Sequence, residues 1–286
     1  MLIAQISDFH LTRQGELAYG VAETAAPLRR AVAHLNALQP APDVVVITGD
    51  LVDDGAPTSY ALLRELLTPL RMPFFTVPGN HDQKARLRSA FPEQRFLHQP
   101  PQAGSVGSLC YVVEEFPIRL IGLDTVTPGE HGGGFEGERL NWLAKTLVGR
   151  PEAPTILFMH HPPFASGIGH MDREVFKGRK EFEALVAQHP QIERILCGHL
   201  HRTIFRRFGG TIASTCPGIG MQLCLDLRED SPSAFILEPP AAMLHLWTSL
   251  WGNSTLLSHV TIIEDTPGQY GGPHPFFDVV SPFNTP

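Results

Sequence analysis

Val44-Val45-Val46-Ile47-Thr48-Gly49-Asp50 is a continuous β-branched run that ends, through one glycine, in a carboxylate. Such a run has no polar face, so it reads as a strand buried on both sides, the habit of parallel sheets covered by helices. Asp50 then stands at the carboxyl end of that strand, where open α/β sheets bind their ligands. The same pattern recurs in both directions along the chain. Leu2 to Ile6 leads into Ser7-Asp8-Phe9-His10, and Phe74 to Val77 leads into Gly79-Asn80-His81-Asp82. Further on, Thr155 to Met159 runs into His160-His161, and Ile192 to Cys197 into Gly198-His199-Leu200-His201.

Between these strands lie segments with the 3/4 apolar spacing of helices, at 24–38, 58–70, 83–90, 137–148 and 173–188. Pro27 fits only the first turn of its helix. Strands are also expected at Leu109 to Val113 and Arg119 to Leu123. The alternation defines an α/β chain. From about residue 203 the pattern changes to strand after strand: Thr203 to Phe208, Thr211 to Ser214, Phe235 to Leu237, Met243 to Trp247 and Leu256 to Ile263. Ser231 to Pro240 and Pro267 to Pro286 read as irregular, aromatic-bearing packing segments. The expected organisation is one main domain over 1–230, which carries all the strand-end clusters, and a strand-rich extension over 231–286. That extension is expected to serve as a cap or oligomer contact and not as an independent domain.

Composition narrows the function classes. The chain has 286 residues, 43% hydrophobic and 18% charged, which suits a sizeable core and excludes a disordered tail. Its net charge of −7 repels polyphosphates at long range and argues against a nucleic-acid groove, although bound metal would reverse the sign locally. Asp8 precedes the first cation, Arg13, so a secretory leader is not expected, and no apolar run is long enough to span a bilayer. A cytoplasmic location follows as the expectation. The 4 cysteines, Cys110, Cys197, Cys216 and Cys224, show no Cys-x-x-Cys spacing and read as small core or half-buried residues.

The strand ends carry the chemistry. Of the 14 histidines, His10, His81, His160, His161, His199 and His201 fall in these clusters. Asp-x-His and His-x-His place two groups on one side of an extended segment. Carboxylate, imidazole and amide oxygen together suit a borderline divalent ion such as Mn, Fe, Zn or Co, and the absence of thiolates argues against a closed structural zinc site. Gly49, Gly79 and Gly198 each precede a candidate ligand, where a residue without Cβ permits a sharp turn and close backbone approach. Taken singly, each pair reads as an ordinary capped strand end; in series they define a site. Spacing does not decide between His160 and His161.

The series Asp-x-His, Gly-Asp, Gly-Asn-His-Asp, His, Gly-His-x-His over residues 8–201 resembles the signature of the calcineurin-like metallophosphoesterases. The Gly-Asn-His-Asp form and the Met-His-His-Pro-Pro run at 159–163 are similar to the class III cyclic nucleotide phosphodiesterase branch, and within it to the bacterial glycerophosphodiesterases. The resemblance implies a sandwich of two mixed β-sheets flanked by helices, with two divalent metal ions per chain at the strand ends. It implies that Asp8, His10 and His201 hold one ion, Asn80, His160 and His199 the other, and that Asp50 bridges them. It prefers His160 over His161 by position in the motif. Purple acid phosphatases of this family carry a tyrosine three residues after the bridging Asp. Here that residue is Asp53, so the metals are expected to be divalent or mixed, with no Fe(III)-tyrosinate pair. Where some relatives have a substrate-facing histidine after a Thr-x-Pro-Gly turn, this chain has Met221.

The implied reaction is hydrolysis of a small phosphodiester by in-line attack of a metal-bridging hydroxide. His81, next to Asn80, is expected to steady the phosphate or protonate the leaving alkoxide. The alternative is that it only orients a ligand, with Asp82 as partner. Glycerophosphodiesters are the expected substrates, with 3',5'-cyclic nucleotides as the alternative and phosphomonoesters behind them; a ligand-depleted protein scaffold is the non-enzymatic rival. A homo-oligomer is expected. Thr127 to Gly137 is glycine-rich but lacks the Gly-Lys-Ser/Thr ending of a phosphate loop, so it reads as a surface loop or pocket rim. Trp142, Trp247 and Trp251 read as core or interface residues.

Overall fold

The computed structural model describes residues 1–99 and 107–272. In chain order the first half contains β1 (Leu2–Ile6), α1 (Ala25–Ala37), β2 (Val44–Ile47), α2 (Pro57–Leu67), β3 (Phe74–Thr76), α3 (Lys84–Ala90), β4 (Tyr111–Val113), β5 (Arg119–Leu123) and α4 (Gly137–Val148). There follow β6 (Thr155–Met159), α5 (Arg179–Ala187), β7 (Ile192–Cys197), β8 (Phe205–Phe208) and β9 (Thr211–Thr215). The last strands are β10 (Gln222–Leu223), β11 (Phe235–Ile236), β12 (Ala241–Leu250) and β13 (Asn253–Ile262).

Two mixed sheets result, ordered β13-β12-β1-β2-β3 and β4-β5-β6-β7-β9-β8. The apolar strands have two dry faces because they lie between layers. In β5 and β6, Leu120, Ile156 and Phe158 join the core shared with the first sheet. Their neighbours Ile121, Leu157 and Met159 join a second core under α4 and α5. That alternation is the period of two of an extended chain. Each large apolar side chain so removed from water contributes roughly 1.5–3 kcal/mol, which is why these runs fix the layer order. Helices α1 and α2 cover the outer face of the first sheet with Leu28, Val32, Leu35, Leu63 and Leu67.

The strands that precede the candidate ligands, β1, β2 and β3 in one sheet and β6 and β7 in the other, run parallel to one another within each sheet. Their carboxyl ends therefore lie together.

Some expectations need correction. The helix expected from residue 173 begins at Arg179. Lys177 instead makes a strand-like bridge to Gly134, and Gly178 turns the chain with φ of 71°. Trp142 and Trp247 pack on the two cores, but Trp251 sits at the β12–β13 turn with 98% of its surface exposed, so it is no core residue. Beyond residue 230, β12 is an inner strand of the first sheet, antiparallel to β1 with Leu2 opposite Leu246. It lies between β13 and β1 in that sheet. Of the segment Pro267 to Pro286, residues 273–286 lie outside the described residues.

Candidate metal centre

Backbone hydrogen bonds fasten the ligand-bearing turns to one another. Asp8 N–H donates to the Gly49 carbonyl at 3.1 Å, Phe9 and His10 N–H to the Asp50 carbonyl at 2.9 and 3.1 Å, and Gly198 N–H to the His160 carbonyl at 2.9 Å. Asp8, His10, Asp50, His199 and His201 all adopt the left-handed conformation, with φ of 55°, 44°, 49°, 68° and 47°. For a residue with a side chain that costs on the order of 1–3 kcal/mol, and it persists only where the surrounding fold imposes it. Here each position needs both the tight turn and the functional group, so glycine cannot substitute. The glycines stand beside them for lack of space. A Cβ on Gly79 would overlap Asp50 Oδ1, and one on Gly49, at φ of 96°, would lie 2.6 Å from His160 Nδ1.

Two sets of lone pairs meet at these turns. His201 donates Nδ1–H to the Met221 carbonyl at 3.0 Å, which leaves Nε2 as an acceptor. His10 pairs through Nδ1 with Asp53 Oδ1 at 2.9 Å, so its Nε2 is bare when the ring is neutral. These two bare nitrogens lie 3.1 Å apart, with Asp8 Oδ1 3.5 Å from His201 Nε2. On the other side His160 donates Nδ1–H to the Thr48 carbonyl at 2.8 Å. Its Nε2 faces Asn80 Oδ1 at 3.0 Å and His199 Nδ1 at 3.2 Å. Asp50 Oδ2 stands between the sets, 3.5 Å from His10 Nε2 and 3.3 Å from His160 Nε2. Lone pairs turned on one another in a dry pocket need protons or cations between them, and the convergence of several at each set suits a cation. The residues thus fit two divalent ions sharing Asp50, with oxygen and imidazole donors appropriate to borderline metals.

The electrostatics are those of a buried charge cluster. Burial pushes the Asp8 carboxyl up to about 6, opposed by His160 and reinforced by Asp50. Burial works against charge on His160 as well, but Asp50 outweighs it and lifts the imidazole to about 9. Against the cost of burial, His160, then His10 and His81, hold Asp50 well below the usual carboxylate range. Burial and neighbouring imidazoles keep His199 and His201 well below theirs.

Three residues gain roles the sequence did not disclose. Asp53 accepts from His10, and its backbone carbonyl accepts Nδ1–H of His81 at 2.9 Å. His81 therefore pairs with Asp53, and the pairing with Asp82 is not found. Asp82 is buried and takes hydrogen bonds from Gly79 N–H at 2.9 Å, Leu51 N–H at 3.2 Å and the Tyr60 hydroxyl at 3.0 Å, tying the Asn80 turn to the Asp50 turn. Of the His160-His161 pair, His161 spends both nitrogens elsewhere: Nε2–H donates to the His131 carbonyl at 3.0 Å and Nδ1 accepts from the Thr125 hydroxyl at 2.9 Å.

Those bonds tie down the glycine-rich loop, and a Cβ on Gly133 would overlap the His161 ring. The loop forms one rim of a cavity of about 300 Å³ beside His161 and His199, floored by Phe164, Met171 and Phe176. The Met221 side chain lies in a small apolar cluster with Ala18, Ala22 and Phe235, and only its backbone reaches the site. All four cysteines are free thiols, three of them buried. Among the described residues no helix is long and apolar enough to cross a membrane.

Comparison with known proteins gives the family and the fold. Residues 1–203 match the family model of the calcineurin-like phosphoesterases. A probable glycerophosphodiester phosphodiesterase, GpdQ, of Arcobacter nitrofigilis is 37% identical over 279 residues, covering 97% of both chains. The glycerophosphodiester phosphodiesterase GpdQ of Enterobacter lignolyticus is 33% identical over 86% of each chain. A probable cyclic nucleotide phosphodiesterase of Synechococcus is 34% identical over 77% of this chain and 81% of its own. Among solved structures, a dimetal phosphatase of Danio rerio shares the fold, with a TM-score of 0.62 at 15% identity over 92% of this chain and 99% of that one. The chain belongs to the calcineurin-like phosphoesterase family.

Proposed function

We propose that this enzyme, a metal-dependent phosphodiester hydrolase, works with two divalent ions and acts on small glycerophosphodiesters. The observation that carries the reading is the meeting of two bare donor sets on either side of Asp50. Asp8, His10 and His201 would hold one ion, Asn80, His160 and His199 the second, and Asp50 both. A divalent pair supplies, when bound, positive charge for the phosphoryl oxygens and a water of lowered pKa.

The chain's own residues do the remaining work. Asp53 and the Thr48 and Met221 carbonyls fix which nitrogen of His10, His160 and His201 faces inward. His81 is anchored through Nδ1, so Nε2 is its one ring nitrogen left for the substrate, where it steadies the phosphate or hands a proton to the departing alkoxide. The cavity beside His199 receives one ester arm. Two similar proteins over most of the chain are named as glycerophosphodiester phosphodiesterases, which supports that substrate class. The cyclic nucleotide phosphodiesterase relative supports 3',5'-cyclic nucleotides as a second reading. Mn, Fe, Zn and Co all suit the donor set. A cytoplasmic homo-oligomer, with contacts beyond residue 230, completes the reading.

The test is a substrate panel under saturating Mn(II), with metal content measured alongside. The expected order of kcat/KM is glycerophosphodiesters, then cyclic nucleotides, then monoesters, all abolished by chelation. A preference for monoesters, or turnover unaffected by chelation, would overturn the proposal.

A further inference from the structure

A line of buried polar side chains crosses the core from the β12–β13 hairpin to the candidate centre. Gln5, Ser7, Asp8, Thr48 and His245 have no solvent exposure. Gln5 Nε2 donates to the Cys197 carbonyl at 2.9 Å and to Thr48 Oγ1 at 3.1 Å. A carbonyl only accepts, so the amide orientation is fixed and Oε1 points the other way. There it meets His245 Nε2 at 3.1 Å. That nitrogen must carry the ring's proton, so Nδ1 is bare and accepts from the Ser258 hydroxyl at 2.8 Å. At the near end Thr48, having accepted from Gln5, gives its own proton to Ser7 Oγ at 2.7 Å. The Ser7 hydroxyl, having accepted from Thr48, keeps its own proton for the adjacent Asp8 carboxylate, whose charged form it favours.

Every donor in the line thus points the same way, from Ser258 through His245, Gln5, Thr48 and Ser7 to Asp8. Hydrogen bonds in series polarise one another, more so at low dielectric. The far end carries no candidate ligand, and His245 makes both its ring hydrogen bonds within the line.

We propose that His245 is a positioning residue of the metal centre: through Gln5, Thr48 and Ser7 it orients and polarises the Asp8 carboxylate and so sets how tightly the Asp8 site holds its ion. The inference rests on the two-ion reading above. Partners behind a metal ligand are typically worth about 10–100-fold in metal affinity. Thr48→Val, which cuts the line next to Ser7, is expected to lose about that much at one of the two sites. His245→Phe should lose about 3–10-fold at the same site, attenuated over the intervening bonds. His245→Gln, whose amide N–H can still donate to Gln5 Oε1, should recover most of the loss.

The experiment titrates full-length Mn(II)-loaded protein with a chromophoric chelator and reads release from each site, with circular dichroism and a melting curve on the same samples. A merely structural role would lower the melting temperature of the phenylalanine variant while leaving Mn(II) release unchanged, and that result overturns the proposal. So does equal loss in the phenylalanine and glutamine variants. If the phenylalanine variant does not fold, Ser258→Ala removes the outermost donor with the packing intact, and Mn(II) release like wild type then overturns the proposal. Wild-type protein that holds fewer than two Mn(II) ions would count against the two-ion reading itself.

Discussion

His81 donates Nδ1–H to the backbone carbonyl of Asp53 at 2.9 Å, so a residue of the neighbouring turn sets the direction of the ring beside the candidate metal centre. The same Asp53 holds His10 through its carboxylate at 2.9 Å. One turn therefore aligns a candidate ligand and a candidate acid. If His81 serves the leaving group, an alkyl diester should need it far more than a p-nitrophenyl diester, whose leaving group departs without a proton. His81→Ala is expected to lose about 10²–10⁴-fold in kcat/KM on the alkyl diester and much less on the nitrophenyl one, with two metals retained. Equal losses on both would assign His81 to phosphate binding.

Asp50 lies within 3.5 Å of both donor sets. Asp50→Ala should therefore weaken both ions together, where loss of Asp8 or Asn80 weakens one. Metal analysis after dialysis is expected to find less than one ion per chain and turnover near background. Two firmly held ions and normal turnover would show that the carboxylate is not shared.

Gly79 has no room for a methyl group against Asp50 Oδ1. Gly79→Ala is expected to destabilise the fold by about 1–3 kcal/mol, as overpacking of a tight site does, and to lower metal content as the Asp50 carboxylate is displaced. Denaturant unfolding checks the first and metal analysis the second. A variant as stable as wild type with both ions in place would refute the steric account.

Burial, helped by Arg194, pushes His245 down to about 3 from an ordinary 6.5. The folded protein thus keeps the ring neutral while the unfolded chain takes up a proton below about pH 6.5. Stability from this group is complete above that value and is lost as pH falls toward 3, at about 1.4 kcal/mol per pH unit. In excess chelator, His245→Gln should show a shallower fall in unfolding free energy between pH 6 and 4 (~1.4 kcal/mol per unit less than wild type). His161, His199 and His201 titrate in both proteins and cancel in the difference. Parallel curves would mean that His245 is not buried neutral.

The layers and the seven candidate ligands were legible because their signals are local: an apolar run followed within a few residues by a glycine and a polar group. Asp50 after Val44 to Thr48 is the clearest case. Where two readings shared one spacing, as at His160-His161, only tertiary partners separate them, and those partners, Thr48 for one and His131 for the other, lie far off in sequence. The sequence marks Asp53 only as the residue that replaces a tyrosine, and its holding role was hidden because the atoms it holds belong to His10 and His81. The place of β12 was hidden for the same reason. Strand order depends on which edge is free when the sheet closes, and nothing within residues 241–250 says that β1 is the partner. The late start of α5 came from Lys177, whose backbone is claimed by Gly134.

The pairing of Leu2 with Leu246 has a consequence for biosynthesis. The turn after β1 carries Asp8 and His10, and one edge of its strand stays open until residues 241–250 have been made. Contacts this far apart in sequence form slowly and leave apolar edges exposed meanwhile. Nascent chains halted near residue 235 should remain protease-sensitive around β1, becoming resistant once the tenth residue of β12 has emerged. Early resistance would show that β1 and β2 settle without it. The turn after β1 is thus made early and completed late.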